Sequence, residues 1–94
     1  RHGTALTSLG RLSVRGAALA RDSEPLDPAC ACPTCQHHSR AYLRHLFSTG
    51  EPTGPRLVTV HNLTWILALI SRIRTAISDG TLFELRKEVA AVWA

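Results

Sequence analysis

Apolar and polar side chains alternate near the start of the chain. Between residues 11 and 15, Leu12 and Val14 alternate with polar or charged residues. A period of two is typical of a β-strand, because successive side chains of a strand point to opposite faces. Gly10 interrupts the segment and supplies a turn, so residues 4–15 are predicted to form a β-hairpin of two short strands.

Loops and one helix are predicted for the middle of the chain. Residues 22–29 contain two prolines and three acidic residues, and residues 48–55 contain two glycines and two prolines. Both compositions indicate loops. Between them, Thr34 is predicted to cap a helix that runs from Cys35 to Phe47.

A long apolar stripe is the main feature of the C-terminal half. Its members recur at steps of three and four residues, which is the period of an α-helix. Pro55 is tolerated in the first turn of this helix, and Gly80 is predicted to end it. Thr81 and Glu84 have the spacing of a capping box for a final helix through Val92. The apolar positions of the long helix are Leu57, Val60, Leu63, Leu67, Ile70, Ile73 and Ile77.

These elements predict an α+β fold that is mostly α, with a β-hairpin, a cysteine-containing loop and three helices. The chain has 94 residues, enough for one domain, and its 45% hydrophobic and 19% charged residues are typical of globular proteins. Its net charge of +4 suits a polyanionic partner such as RNA. The chain contains no Met and begins at Arg1, so we expect it to be a piece of a longer protein.

Nothing in the sequence predicts a membrane partner. The most apolar stretch, from Leu57 to Ile70, is interrupted by His61, Asn62 and Thr64, so it is too short and too polar to cross a bilayer. The three cysteines are closely spaced and odd in number, whereas a secreted disulfide framework prefers an even number. We therefore expect a reducing, cytoplasmic environment.

Cys30, Cys32 and Cys35 place three thiols within six residues of a loop. Zinc prefers four tetrahedral ligands, so this spacing predicts a structural zinc site whose fourth ligand comes from elsewhere. His61 is favoured because it would tie the loop to the long helix, but the spacing alone leaves the choice of histidine open. The candidates are His2, His37, His38, His45 and His61.

Two other interpretations of the cysteines are less consistent with the sequence. Three buried free thiols would be expected in an apolar segment, whereas these lie among prolines and acidic residues. Cys32 and Cys35 have the C-x-x-C spacing of a thiol oxidoreductase, but Cys30 would then have no role.

Four segments of the chain, in order, resemble the C-terminal part of tRNA-guanine transglycosylases: Arg1–Thr7, Pro25–Cys35, Ser39–Leu46 and His61–Leu63. The resemblance implies that Cys30, Cys32, Cys35 and His61 bind zinc in a subdomain near the end of a (β/α)8 barrel. Enzymes of this family exchange guanine at the tRNA wobble position for a deazaguanine that leads to queuosine. An aspartate nucleophile forms a covalent RNA intermediate, and a second aspartate serves as acid and base.

The resemblance implies no catalytic residue in this chain. The two aspartates of the family lie upstream of the matched segments, and none of Asp22, Asp27 and Asp79 aligns with them. The chain is therefore expected to be inactive alone. The alternative is a stand-alone zinc module that binds RNA or protein without catalysis.

The resemblance also suggests contacts with partners. Arg1 matches the end of a loop that contacts the tRNA anticodon, which makes tRNA the expected partner of the parent enzyme. His38, Tyr42 and His45 lie at steps of four and three, as on one helix face, and match positions of a homodimer interface. His38 departs from the pattern, since a larger aromatic residue is typical there. Ordinary packing is the alternative for Tyr42.

Overall fold

The structure is a computed structural model that describes residues 3–93. Its first two elements form a β-hairpin. Strands β1 (Thr4–Thr7) and β2 (Gly10–Ser13) pair antiparallel, with Thr7 opposite Gly10. Gly10 has a φ of +114°, which glycine adopts without steric cost, and it follows a two-residue connection. The predicted hairpin is confirmed, although its strands end at Ser13 rather than at residue 15. One turn of 3₁₀ helix, Ala17–Leu19, follows and was not predicted.

The single helix predicted from Cys35 to Phe47 is wrong, because the structure has two helices there. Helix α1 spans Pro33–His37 and helix α2 spans Arg40–Ser48. His38 between them has the extended dihedrals φ −135° and ψ 142°, so the helix cannot continue through it. The described residues therefore form four α-helices rather than three.

The caps of these helices explain the break. The sulfur of Cys32 caps α1 by accepting a hydrogen bond from the Cys35 amide, and Pro33 occupies the first helical position. The Ser39 hydroxyl caps α2 by accepting from the Tyr42 amide at 3.1 Å. The prediction of Thr34 as the cap is wrong: Thr34 lies inside α1, and its hydroxyl donates to the carbonyl of Leu57.

The two C-terminal helices agree with the predicted pattern more closely. Helix α3 spans Thr53–Asp79, so its first turn takes up the end of the loop predicted for residues 48–55. Gly80 ends α3 as predicted, with a φ of +73° and an amide that donates to the Ala76 and Ile77 carbonyls. Helix α4 spans Leu82–Trp93.

The hydrophobic core lies among the hairpin, the loop before α1, helix α2 and the first turns of α3. Gly54 allows α2 and α3 to approach closely, since a Cβ there would lie 3.1 Å from side-chain atoms of Leu46 and Phe47. This core is adjacent to the cysteines, because Cys35 packs against it. Its buried members are Ala5, Val14, Leu26, Leu43, Leu46, Phe47 and Val58.

The remainder of α3 buries little of its apolar stripe. We call Leu63, Ile66, Leu67, Ile70 and Ile77 the outer face of α3, and all five are exposed. Helix α4 packs back on α3, where the Trp65 and Trp93 rings lie 5.7 Å apart, which agrees with the packing role expected for tryptophan. Across residues 3–93, no helix combines the length and the hydropathy needed to cross a membrane.

Candidate metal centre

Three neighbouring cysteines and a histidine that is distant in sequence converge beside the core. The sulfurs of Cys30, Cys32 and Cys35 and a ring nitrogen of His61 all lie within 4.8 Å of one another. Nδ1 of His61 is 3.3 Å from the sulfurs of both Cys32 and Cys35. Cys32 and His61 are buried, whereas Cys30 and Cys35 are partly exposed. This cluster could hold a metal ion, and it contains the four residues that the family resemblance implies.

The tautomer of His61 is fixed by the hairpin. Its Nε2 lies 2.6 Å from the carbonyl oxygen of Leu6, an acceptor, so Nε2 carries the proton. Nδ1 therefore presents its lone pair to the sulfurs, as a metal-ligating histidine must. Of the other candidates, His37, His38 and His45 are not part of the cluster, and His2 lies outside the described residues.

Backbone amides surround the three sulfurs. The Cys35 amide donates to the Cys32 sulfur at 3.3 Å. The backbone amides of Cys32 and Asp27 lie close to the sulfurs of Cys30 and Cys35, respectively. Burial nevertheless raises the pKa of the Cys30 thiol and, together with the neighbouring Cys32, raises the pKa of Cys35 to about 12. Without a cation, the thiols of Cys30 and Cys35 stay protonated at neutral pH, and a metal ion would displace these protons.

Asn62 fastens α3 to the edge of the hairpin beside the cluster. Its Oδ1 accepts from the Leu6 amide at 2.9 Å, and its Nδ2 donates to the Thr4 carbonyl at 2.9 Å. Together with the bond from His61 to Leu6, these contacts hold the ligand histidine against β1. Sequence reasoning gave Asn62 no role, and its position directly after a candidate ligand was the only signal available.

Replacing Asn62 with alanine is expected to destabilise the metal-loaded chain by about 1–3 kcal/mol, because two hydrogen bonds to β1 are lost. Asn62→Asp keeps the acceptor for Leu6 but cannot donate to Thr4, so its loss should be intermediate. Denaturant unfolding with excess Zn²⁺ measures the free energy of unfolding of both variants. Ser71→Ala, at an exposed position of the same helix, is the control. An unchanged unfolding free energy in Asn62→Ala would contradict the role of this contact.

The residues predicted for a dimer interface are only partly on one helix. Tyr42 and His45 lie on α2, but His38 lies in the break before it, so placing all three on one helix face was wrong. The His38 ring still stacks on Tyr42, with centroids 5.2 Å apart. Tyr42 is 45% exposed. Their role in dimerisation stays a prediction, as does that of Arg1, which lies outside the described residues.

Two of the aspartates are occupied by structural contacts. Asp22 accepts a hydrogen bond from the Glu24 amide and forms an ion pair with Arg40. The hydrogen bond from the Glu24 amide contributes most to lowering the Asp22 pKa. Burial opposes the ionisation of Asp27, but hydrogen bonds outweigh burial and keep its pKa below the usual value. Both carboxyls are therefore ionised at neutral pH and engaged by hydrogen bonds.

Comparison with known proteins matches the chain to one family. The family model described as queuine tRNA-ribosyltransferase matches residues 1–94. A queuine tRNA-ribosyltransferase of Desulforudis audaxviator is 50% identical over 91 residues, which is 97% of this chain and 24% of that protein. Proteins of the same name match at 51% identity in Halothermothrix orenii, over 94% of this chain and 24% of the relative, and in Streptococcus pneumoniae, over 93% and 23%. The chain thus spans about a quarter of the length of these relatives. It belongs to the queuine tRNA-ribosyltransferase family.

Proposed function

We propose that this chain is the zinc-binding C-terminal part of a tRNA-guanine transglycosylase, a cytoplasmic enzyme that exchanges guanine at the tRNA wobble position for a deazaguanine in queuosine biosynthesis. The observation that carries the proposal is the cluster of three cysteines and one histidine in a chain of this family. The tRNA substrate and the exchange reaction belong to the whole enzyme.

Zinc fits the donor set. Three thiolates and one imidazole are a common set for structural zinc, and Zn–S bonds of about 2.3 Å place tetrahedral ligand atoms about 3.8 Å apart. The four donor atoms already lie within 4.8 Å of one another, so small movements would close the site. Four protein ligands leave no open position for water, so the ion would be structural rather than catalytic.

Such a zinc ion would add a covalent link among elements that hydrogen bonds already bring together. Cys30 lies in the loop, Cys32 and Cys35 flank the start of α1, and His61 lies on α3 and reaches β1 through Leu6. Binding one ion would fix the hairpin, the loop and the long helix in one arrangement. We further propose that exposed Tyr42 and His45, with His38 stacked on Tyr42, contribute to a homodimer of the whole enzyme.

Exchange activity should require the rest of the enzyme. We expect the 94-residue chain alone to incorporate no labelled guanine into tRNA, because the nucleophile and the base pocket lie in the remainder of the protein. A chimera that carries this chain in place of the aligned segment of the Desulforudis audaxviator relative should incorporate it. The matched chimera with Cys32→Ser should lose zinc and most activity.

Two outcomes would contradict the proposal. A chimera that folds and binds zinc but shows no exchange activity would contradict the proposal that this chain is part of a tRNA-guanine transglycosylase. The isolated chain should be prepared from a host that lacks its own transglycosylase. Guanine exchange by that preparation would show that the 94-residue chain alone is sufficient for catalysis. If the isolated chain instead binds RNA tightly without exchange, the stand-alone zinc module is the better interpretation.

A further inference from the structure

Asp27 is a buried acid whose carboxylate is fully engaged. Only 2% of the residue is exposed. Its Oδ2 accepts from the Ser8 amide at 2.8 Å, and its Oδ1 accepts from the Ser8 hydroxyl and the Ala29 amide, both at 3.0 Å. The Trp65 indole lies beside the same carboxylate. One side chain therefore binds the hairpin turn and the cysteine loop, and it lies against helix α3.

The backbone of Asp27 is equally engaged, and with two of the candidate ligands. Its carbonyl accepts from the Cys30 amide at 3.0 Å, which closes the turn that leads into the cysteines. Its amide lies close to the sulfur of Cys35. A movement of Asp27 would therefore displace Cys30 and change the surroundings of Cys35.

We propose that Asp27 is the positioning residue of the metal centre, whose carboxylate holds the cysteine loop in its metal-binding arrangement. Ordering a free loop costs conformational entropy that would otherwise be subtracted from the metal-binding free energy. Three donors from the hairpin turn and the loop hold the carboxylate, and the carboxylate holds the loop. Groups that orient metal ligands in this way typically change metal affinity on the order of 10- to 100-fold.

Asp27→Asn is the principal test. An asparagine presents an amide NH₂ where a carboxylate oxygen accepted, so at least one N–H donor loses its partner. We expect zinc affinity, measured by competition with a chromophoric chelator at low micromolar protein, to fall on the order of 10- to 100-fold. Asp79→Asn makes the same charge change at an exposed acid and should leave the affinity unchanged.

Cobalt substitution separates positioning from general stability. The thiolate-to-Co²⁺ charge-transfer and d–d bands report the arrangement of the sulfurs, and Asp27→Asn should shift or weaken them. Leu43→Ala, in the core and away from the ligands, should lower stability but keep the wild-type Co²⁺ spectrum. Wild-type zinc affinity and a wild-type Co²⁺ spectrum in Asp27→Asn would overturn the inference.

Two single variants keep the test valid if Asp27→Asn fails to fold even in excess zinc. Ser8→Ala removes one donor to the carboxylate and Trp65→Phe removes the indole beside it, so each should lower zinc affinity by a smaller factor. Unchanged affinity in both would overturn the inference.

The inference rests on the proposed zinc binding, but different results would refute the proposed function and the role of Asp27. A wild-type chain that does not bind zinc defeats the proposed function, whereas normal binding by the variants defeats only the role of Asp27.

Discussion

Replacing His61 with alanine is expected to abolish tight zinc binding and to unfold much of the chain. The ring is completely buried, with Nδ1 aimed at two sulfurs and Nε2 bonded to Leu6. The substitution therefore removes a ligand, leaves a cavity and breaks one of the hydrogen bonds that join α3 to β1. Structural zinc contributes about 10–16 kcal/mol of apparent binding free energy in zinc-finger peptides. The whole stability of a domain is typically about 5–15 kcal/mol, so losing this contribution should be decisive.

The measurements are zinc stoichiometry by native mass spectrometry and near-ultraviolet circular dichroism. The wild-type chain should hold one zinc ion and lose tertiary structure when a strong chelator removes it. His61→Ala and Cys32→Ser should resemble the chelated wild type, whereas His45→Ala, at an exposed histidine of α2, should keep zinc and structure. A full zinc complement in His61→Ala would contradict the ligand assignment and direct the search to His37 and His38.

Local signals in the sequence were sufficient for the hairpin and for the end of α3. The alternation of apolar and polar residues, together with Gly10, predicted the hairpin of β1 and β2. Gly80 predicted the end of α3, and its backbone is left-handed in the structure. The error at residues 35–47 had a local cause. The sulfur of Cys32 acts as a helix cap, a role usually assigned to oxygen, and Ser39 caps a second helix within the segment that was predicted to be one helix.

The parts of the candidate site that the sequence did not predict depend on contacts between residues distant in sequence. Asn62 bonds to residues 56 and 58 positions away, and His61 bonds to Leu6 across 55 positions. No periodicity or spacing encodes such pairs. His61 was favoured among the histidines because it would tie the loop to the long helix, but the choice became firm only with the family resemblance. The structure supports it through the orientation of the ring.

The apolar stripe of α3 was visible in the sequence, but the surface that covers it was not. The periodicity correctly predicted a helix with one broad apolar face. Within the described residues, the buried core uses Val58 near the start of α3 and leaves the outer face of α3 exposed. The relatives are about four times as long as this chain, and we propose that in such a protein the remaining chain covers the outer face.

The isolated chain is expected to self-associate even with zinc bound. On the outer face of α3, Leu63 is 57% exposed, Leu67 is 64% exposed and Ile77 is 61% exposed. Burying an aliphatic side chain fully is worth roughly 1.5–3 kcal/mol, and soluble monomers rarely expose a contiguous apolar patch of this kind. Two copies that pack these faces together would recover part of this free energy. A metal ion bound at buried His61 would lie on the opposite face of α3 and cannot cover them.

Sedimentation velocity over a range of concentrations tests this expectation. The zinc-loaded wild type should show mass that increases with concentration, whereas a triple variant with glutamine at Leu63, Leu67 and Ile77 should sediment as a monomer. The triple variant should keep its zinc, because none of these side chains belongs to the core or to the metal centre. A matched variant with glutamine at exposed Ser71 and Thr75 should associate like the wild type. A stable wild-type monomer at tens of micromolar would contradict the prediction and favour the stand-alone zinc module, since the chain would then tolerate its apolar face without a partner.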